Sequence, residues 1–97
     1  MKAIFISYNQ ALSERVLDVF DNNDVRGFTK WELTEGRGTD DGEPHYGNHA
    51  WPSMNSSMLI IVEDEKTEKI MTDLRQLDAA AKMQGLRAFV WNIEQVS

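Results

Sequence analysis

The chain has 97 residues, the length of one ordinary domain. It carries 10 basic and 16 acidic side chains, and this net charge of −6 argues against binding to the phosphate backbone of nucleic acids. The absence of cysteine excludes disulfides, thiol nucleophiles and cysteine-ligated metals. The longest apolar run, Met58 to Val62, is far shorter than the roughly 20 residues that span a bilayer. We therefore expect a cytoplasmic protein with no nucleic-acid partner.

The first half of the chain predicts a strand, a helix and a second strand. Apolar residues alternate from Lys2 to Tyr8, which is typical of a strand. Asn9 is a good N-cap for the helix that follows. The apolar stripe of that helix consists of Leu12, Val16, Val19 and Phe20. Residues 21–24 favour a turn, and an extended pattern follows over residues 25–35.

The second half repeats this order of elements. Residues 57–63 predict a strand that is apolar on both faces, and residues 86–93 predict the last strand. The helix between them has a buried stripe of Ile70, Leu74, Leu77 and Ala81. Gly85 stands where a left-handed C-cap of that helix is expected. The order predicts one α+β domain over residues 1–97. Its fold is ferredoxin-like βαββαβ: a four-stranded antiparallel sheet with two helices on one face and a long loop between strands 2 and 3.

The predicted strands are apolar on both faces, although two helices cover a single face. Phe5 lies opposite Ile4 and Ile6 in this pattern, and Val90 lies opposite Trp91. In the third strand, Leu59 and Ile61 lie opposite Met58, Ile60 and Val62. An apolar face of this kind would be a large exposed patch in water. A second subunit that covers this face is the economical explanation, and the alternative is that the long loop folds over it. Trp31 and Trp91 are accordingly predicted to lie in the core or at a subunit interface.

The long loop, residues 36–56, is predicted to carry the function. It holds both histidines, both prolines, four of the six glycines and Trp51. A connection of more than about 12–15 residues in a compact domain is usually functional or disordered. Trp51 is predicted to anchor the loop to the body of the domain. Arg37 stands between Gly36 and Gly38, where backbone amides and a guanidinium can approach an anion.

The loop histidines form a candidate metal site. His45 and His49 lie four residues apart, and Asp40, Asp41 and Glu43 lie just upstream. Imidazole and carboxylate suit a divalent metal such as zinc or copper, with Asp41 or Glu43 completing the ligand set. Two alternatives remain open at this point. The histidines can make ordinary polar contacts, or they can bind an anion or another small molecule.

The overall plan resembles the PII-like superfamily, which includes the nitrogen-regulatory PII signal proteins and the CutA-like proteins. The local match is Gly27-Phe28-Thr29 before strand 2, then Glu32, then Gly36-Arg37-Gly38 at the loop base. PII proteins have a similar glycine–hydrophobic–threonine entry and a glycine-x-glycine at the base of their T-loop. The resemblance implies the fold and a homotrimer.

The sequence departs from PII proteins where they bind ATP. Their glycine-rich B-loop, TGxxGDGK, corresponds here to residues 79–87, which retain Gly85 and place Arg87 near the lysine position. The arginine-containing segment that follows strand 4 in PII proteins is not recognisable. We therefore expect this chain to be a divergent member that binds ATP weakly or not at all.

Three functions remain in order of preference. The first is a PII-like trimeric regulatory protein that binds a small-molecule effector through Gly36, Arg37, Gly38 and Arg87. Its long loop would switch a partner, such as a membrane transporter or another regulated protein. The second is a CutA-like or metal-responsive protein that binds a divalent metal through His45 and His49. The third is a small ferredoxin-like enzyme, for which the sequence offers no catalytic motif.

Overall fold

The computed structural model describes residues 1–36, 54–81 and 84–97. The elements, in chain order, are β1 (Lys2–Asn9), a short 3₁₀ helix (Gln10–Leu12), α1 (Ser13–Asn22), β2 (Thr29–Thr34), β3 (Asn55–Val62), α2 (Asp64–Ala80) and β4 (Leu86–Asn92). The strands form one antiparallel sheet in the order β2-β3-β1-β4. The predicted ferredoxin-like βαββαβ fold is confirmed. Neither helix in these ranges is long and apolar enough to cross a membrane.

The hydrophobic core lies between one face of the sheet and the two helices. Because side chains alternate along a strand, Ile4, Ile6 and Tyr8 of β1 all point to this face and are fully buried. Their neighbours on β3 include Ile60 and Met58, which are buried equally deeply. The helices contribute Val16, Val19, Phe20, Ile70 and Leu74 to the same cluster, with Leu77 and Ala81 packed at its margin. The predicted helical stripes are therefore confirmed.

The end of β1 passes into α1 through the 3₁₀ helix. The Asn9 side chain accepts a hydrogen bond from the amide of Ala11 at 2.9 Å. Asn9 is thus an N-cap as predicted, but it caps the 3₁₀ helix, and Leu12 occupies the N-cap position of α1.

Gly85 does not cap α2, in contrast to the prediction. The helix ends at Ala80, and Ala81 is its C-cap residue. Gly85 has a φ of +73° in the turn that leads into β4. The left-handed conformation was therefore predicted correctly, but it belongs to the entry of the strand rather than to the end of the helix.

Two strand boundaries differ from the sequence prediction. β2 begins at Thr29 rather than at Val25, because the amide of Val25 bonds to the carbonyl of Phe20 at 2.9 Å and closes the end of α1. β3 begins at Asn55 rather than at Ser57, because the antiparallel ladder continues through polar residues opposite the end of β1. The long connection therefore comprises residues 35–54, and the loop predicted over 36–56 is shorter at its second end.

A polar contact joins the two helices on the surface of the domain. The Asn23 side-chain amide donates to Val19 O at 2.8 Å and to Asp73 Oδ2 at 2.9 Å. Lys69 Nζ donates to the same Asp73 oxygen at 2.7 Å. These bonds, from Lys69 first and Asn23 second, lower the pKa of the Asp73 carboxyl below its ordinary value of 3.8.

Candidate functional site

The candidate site lies at the end of the sheet from which the long connection leaves. Here β2 ends, β3 begins, β1 ends and β4 begins. Of the four residues predicted to bind an effector, Gly36 and Arg87 both lie at this end. Arg37 and Gly38 fall outside the residues that the structure describes.

Gly36 lies where the outgoing chain passes close to the start of β3. A Cβ atom on Gly36 would come within 2.7 Å of Nδ2 of Asn55. Contacts this short essentially never occur for a real Cβ, and Asn55 is 9% exposed, so its side chain has little room to move. A side chain at position 36 would therefore displace the Asn55 side chain, so glycine is favoured where the two ends of the connection approach each other.

Arg87 is exposed on β4, directly opposite Ser7 of β1. β2 and β4 are the two edges of the sheet, with β3 and β1 between them. Three strand spacings separate the edges, which is roughly 14 Å. A single chain thus leaves Gly36 and Arg87 at opposite corners of the same sheet end, and does not bring them together.

Side-chain hydrogen bonds join β2 and β3 next to the connection. The register of this pair shifts between Trp31 and Thr34, which interrupts the regular ladder. Ser56 Oγ donates to the carbonyl oxygen of Glu32 at 2.6 Å, and the hydroxyls of Thr34 and Ser57 lie 3.2 Å apart. These bonds satisfy polar groups where the strands are irregular and hold the two ends of the connection side by side.

The sheet face opposite the helices is apolar and open, and we call it the open face. Phe5 lies between Leu59 and Phe89, and Ala3 lies between Ile61 and Trp91. Four of its large side chains are strongly exposed: Trp31 (45%), Ile61 (43%), Phe89 (56%) and Trp91 (48%). Toward the connection the face becomes polar, with Ser57, Ser7 and Arg87 in one row. The second apolar face predicted from the strand patterns is therefore present, and these four described side chains on it are exposed.

A cavity of about 210 Å³ lies at the opposite end of the domain. Its walls include Arg26 and Gly27 before β2, Ile61 and Glu63 at the end of β3, and Lys66 of α2. Lys66 Nζ donates to the carbonyl oxygen of Asp24 at 3.1 Å. The sequence did not predict this cavity, because its walls come from segments whose proximity depends on the sheet register.

The proposed metal ligands His45, His49, Asp41 and Glu43 lie outside the described residues, and so does the proposed anchor Trp51. Within residues 1–36, 54–81 and 84–97, no group of three or more His, Cys, Asp or Glu side chains could hold a metal ion. The zinc or copper site therefore stays a prediction.

Two residues at the candidate site were missed by sequence reasoning. Asn55 packs against the position of Gly36, and Gln10 bonds to Glu32 and to the backbone of Met54. Neither belongs to a motif or to an apolar period. Their roles come from the pairing of β1 with β3, so no local pattern in the sequence could have found them.

Comparisons with known proteins agree with this architecture. The family described as "Nitrogen regulatory protein P-II" matches residues 1–97. No curated protein matches the sequence.

Several solved structures share the fold. CPII, a nitrogen regulatory PII-like protein from Thiomonas intermedia K12, was solved with ADP, AMP and bicarbonate. It has a TM-score of 0.78 and 19% identity, over 95% of this chain and 84% of that one. The apo form of CPII has a TM-score of 0.68 and 14% identity, over 95% and 89% of the two chains. A PII-like signaling protein from Thermus thermophilus has a TM-score of 0.67 and 21% identity, over 95% and 85%.

Proposed function

This chain belongs to the nitrogen regulatory protein P-II family, and on that basis we propose that it is a trimeric regulatory protein of the cytoplasm. In this proposal a small anionic effector binds between subunits. The effector changes the conformation of the connection over residues 35–54, which docks onto or releases a partner protein. The partner is a membrane transporter or another regulated protein.

The open face supports the trimer. Trp31, Phe89 and Trp91 are each about half exposed in the single chain, on the apolar part of the open face. Burial of such a face between subunits removes apolar area from water, at about 25 cal/mol per Å². The same aromatic surface could stack on nucleic-acid bases, but a net charge of −6 opposes an approach to phosphates.

The placement of Gly36 and Arg87 supports a site between subunits. They share one end of the sheet but occupy opposite edges, so Arg87 of one copy can face the connection of the next in a closed ring. Arg87 is exposed, and the ion pairs among the described residues do not include it; a guanidinium is a strong donor to anions. The related CPII structures with ADP, AMP and bicarbonate support a negatively charged effector.

The observation that carries the proposal is the exposed aromatic side chains of the open face beside the exposed Arg87. Light scattering coupled to size exclusion tests the trimer, and we expect about three times the chain mass of 11.1 kDa. A monomer at micromolar concentration would contradict it.

Thermal-shift assays with ADP, AMP and bicarbonate test the effector, because a ligand that binds the native state raises its stability. We expect at least one of these anions to stabilise the protein. Arg87→Ala should abolish that shift, while Arg75→Ala, an exposed arginine on α2, should retain it. If the panel gives no shift, or if both variants respond like the parent, Arg87 does not bind an effector.

A further inference from the structure

Two successive residues at the end of β1 form backbone hydrogen bonds to two different connections of the chain. The amide nitrogen of Asn9 donates to the carbonyl oxygen of Gly85, 3.2 Å away in the turn between α2 and β4. The amide nitrogen of Gln10 donates to the carbonyl oxygen of Met54, 2.7 Å away at the second end of the 35–54 connection. The neighbouring amides of Asn9 and Gln10 therefore link the two connections.

The side chain of Gln10 reaches β2, the strand from which the same connection leaves. Its Nε2 donates to Oε1 of Glu32 on β2 at 3.3 Å, and the other oxygen of Glu32 lies 3.2 Å from Lys30 Nζ. The carbonyl oxygen of Glu32 in turn accepts from Ser56 on β3. Gln10 is thus bonded to Met54, just before β3, through its backbone, and to β2 through its side chain.

We infer that Gln10 is a positioning residue that couples the 35–54 connection to the α2–β4 turn. Displacement of Met54 or of Gly85 strains the same two residues at the end of β1, so the hydrogen bonds at these two positions open together. The turn lies two residues before Arg87. The consequence for regulation rests on the proposed function: an anion bound at Arg87 would alter the hydrogen bonds of Gln10 to Met54 and to β2. The coupling itself requires no effector and is measured without one.

The backbone at this point allows one hydrogen bond to be removed selectively. Asn9 has φ −63° and ψ 133°, an extended conformation that a following proline tolerates. Gln10 is the first residue of the 3₁₀ helix, a position where a missing N–H and a φ near −65° are accepted. Gln10→Pro therefore removes the bond to Met54 together with the side chain. Gln10→Ala removes the side chain alone and is the matched control.

Amide hydrogen exchange, followed by mass spectrometry in the parent and both variants, tests the inference. In Gln10→Pro we expect exchange to rise about fivefold, the factor for one lost hydrogen bond, over residues 54–57. We expect a rise of similar size over residues 85–87, whereas the centre of β1 should be unchanged. Gln10→Ala should leave residues 85–87 at the parent rate.

The reciprocal experiment starts from the other connection. Gly85→Ala strains the turn, because φ is +73° there, and adds no atom near the connection. Since coupling is reciprocal, exchange over residues 54–57 should also rise in this variant. A rise confined to residues 54–57 in Gln10→Pro, or to the turn in Gly85→Ala, would overturn the inference. If Gln10→Pro does not fold, exchange over residues 54–57 in Gly85→Ala is the measurement that tests the inference. Neither result depends on whether the protein is a trimer or binds an anion.

Discussion

The ring of Phe5 on β1 lies 6.3 Å from the ring of Trp31 on β2, although β3 separates the two strands. Trp31 pairs with Ser57 of β3, whose small side chain leaves room for the indole to lean across the strand. The rings are tilted by 54°, a favourable arrangement for aromatic pairs at this distance. The open face is thus a continuous aromatic surface that reaches from one edge of the sheet toward its centre.

The open face should lose its partner subunits when it carries a charge. We expect Phe89→Glu to yield a monomer in light scattering, because a carboxylate buried in an apolar interface is strongly unfavourable. Phe89 is 56% exposed in the single chain, so the fold itself should tolerate the change. Val96→Glu, at an apolar residue with 68% exposure beyond β4, is the control and should retain the parent mass. A trimeric Phe89→Glu protein would place the interface elsewhere.

ATP with magnesium should bind weakly or not at all. The α2–β4 region retains Gly85 as its single glycine, so a triphosphate would lack most of the backbone cradle that glycines allow. Calorimetry on the parent protein measures this directly. Low-micromolar or tighter affinity would contradict the prediction and would favour an ATP-dependent mechanism.

The loop histidines provide a test of the metal hypothesis. If His45 and His49 are ligands, with Asp41 or Glu43 completing the set, zinc or copper affinity should fall as the pH drops through about 6.5. The affinity should fall in acid because a metal binds the neutral imidazole, and protonation of the ring competes with that binding. The double variant His45→Ala, His49→Ala should lose metal binding and keep its metal-free melting temperature. Unchanged affinity in the double variant, or none in the parent, would leave the loop without a metal role.

The Asp73 carboxylate should stabilise the fold at neutral pH and lose this effect in acid. Its pKa is lowered in the folded state from 3.8, so its contribution is complete above that value and disappears as the pH falls through the folded pKa. We expect Asp73→Asn to lower the free energy of unfolding by about 1 kcal/mol at pH 7.

Denaturant titrations at several pH values and one protein concentration measure this difference, which should decline once the pH falls below 3.8 and disappear as the pH passes through the lower folded pKa. Asp18→Asn, at an exposed carboxylate on α1, is the control and should have little effect at any pH. A difference between the parent and Asp73→Asn that persists unchanged in acid would show that the charge is not responsible.

Two glycines with equal free space should respond oppositely to alanine. Gly85 has φ +73°, so Gly85→Ala should cost about 1–2 kcal/mol of stability through backbone strain. Gly27 has no positive φ, and a Cβ atom there would have no neighbour within 4 Å, so Gly27→Ala should be neutral or slightly stabilising. Chemical denaturation of both variants measures the contrast, and similar values for the two would argue against strain at Gly85.

The local periodicity of the sequence determined the elements, their order and the two faces of the sheet. Apolar spacing along β1 and along α1 depends on residues a few positions apart, so the burial of Ile4 and Val16 was predictable. The open face was predictable for the same reason, since strand residues alternate whatever their partners are. The left-handed conformation at Gly85 was also local, because glycine adopts it without a steric penalty.

The register between distant strands was decided by the tertiary structure. It placed Trp31 over Ser57, brought Asn55 against Gly36, and left Gly36 and Arg87 at opposite edges of one sheet end. It also joined Gln10 to Met54, 44 positions away in the sequence. No local pattern contains these relations, because register results from packing and hydrogen bonding between segments far apart in the chain. The Gly36-Arg37-Gly38 pattern could therefore suggest Gly36, and the resemblance to PII proteins could suggest Arg87, while the pairing of the strands determined where the two residues lie.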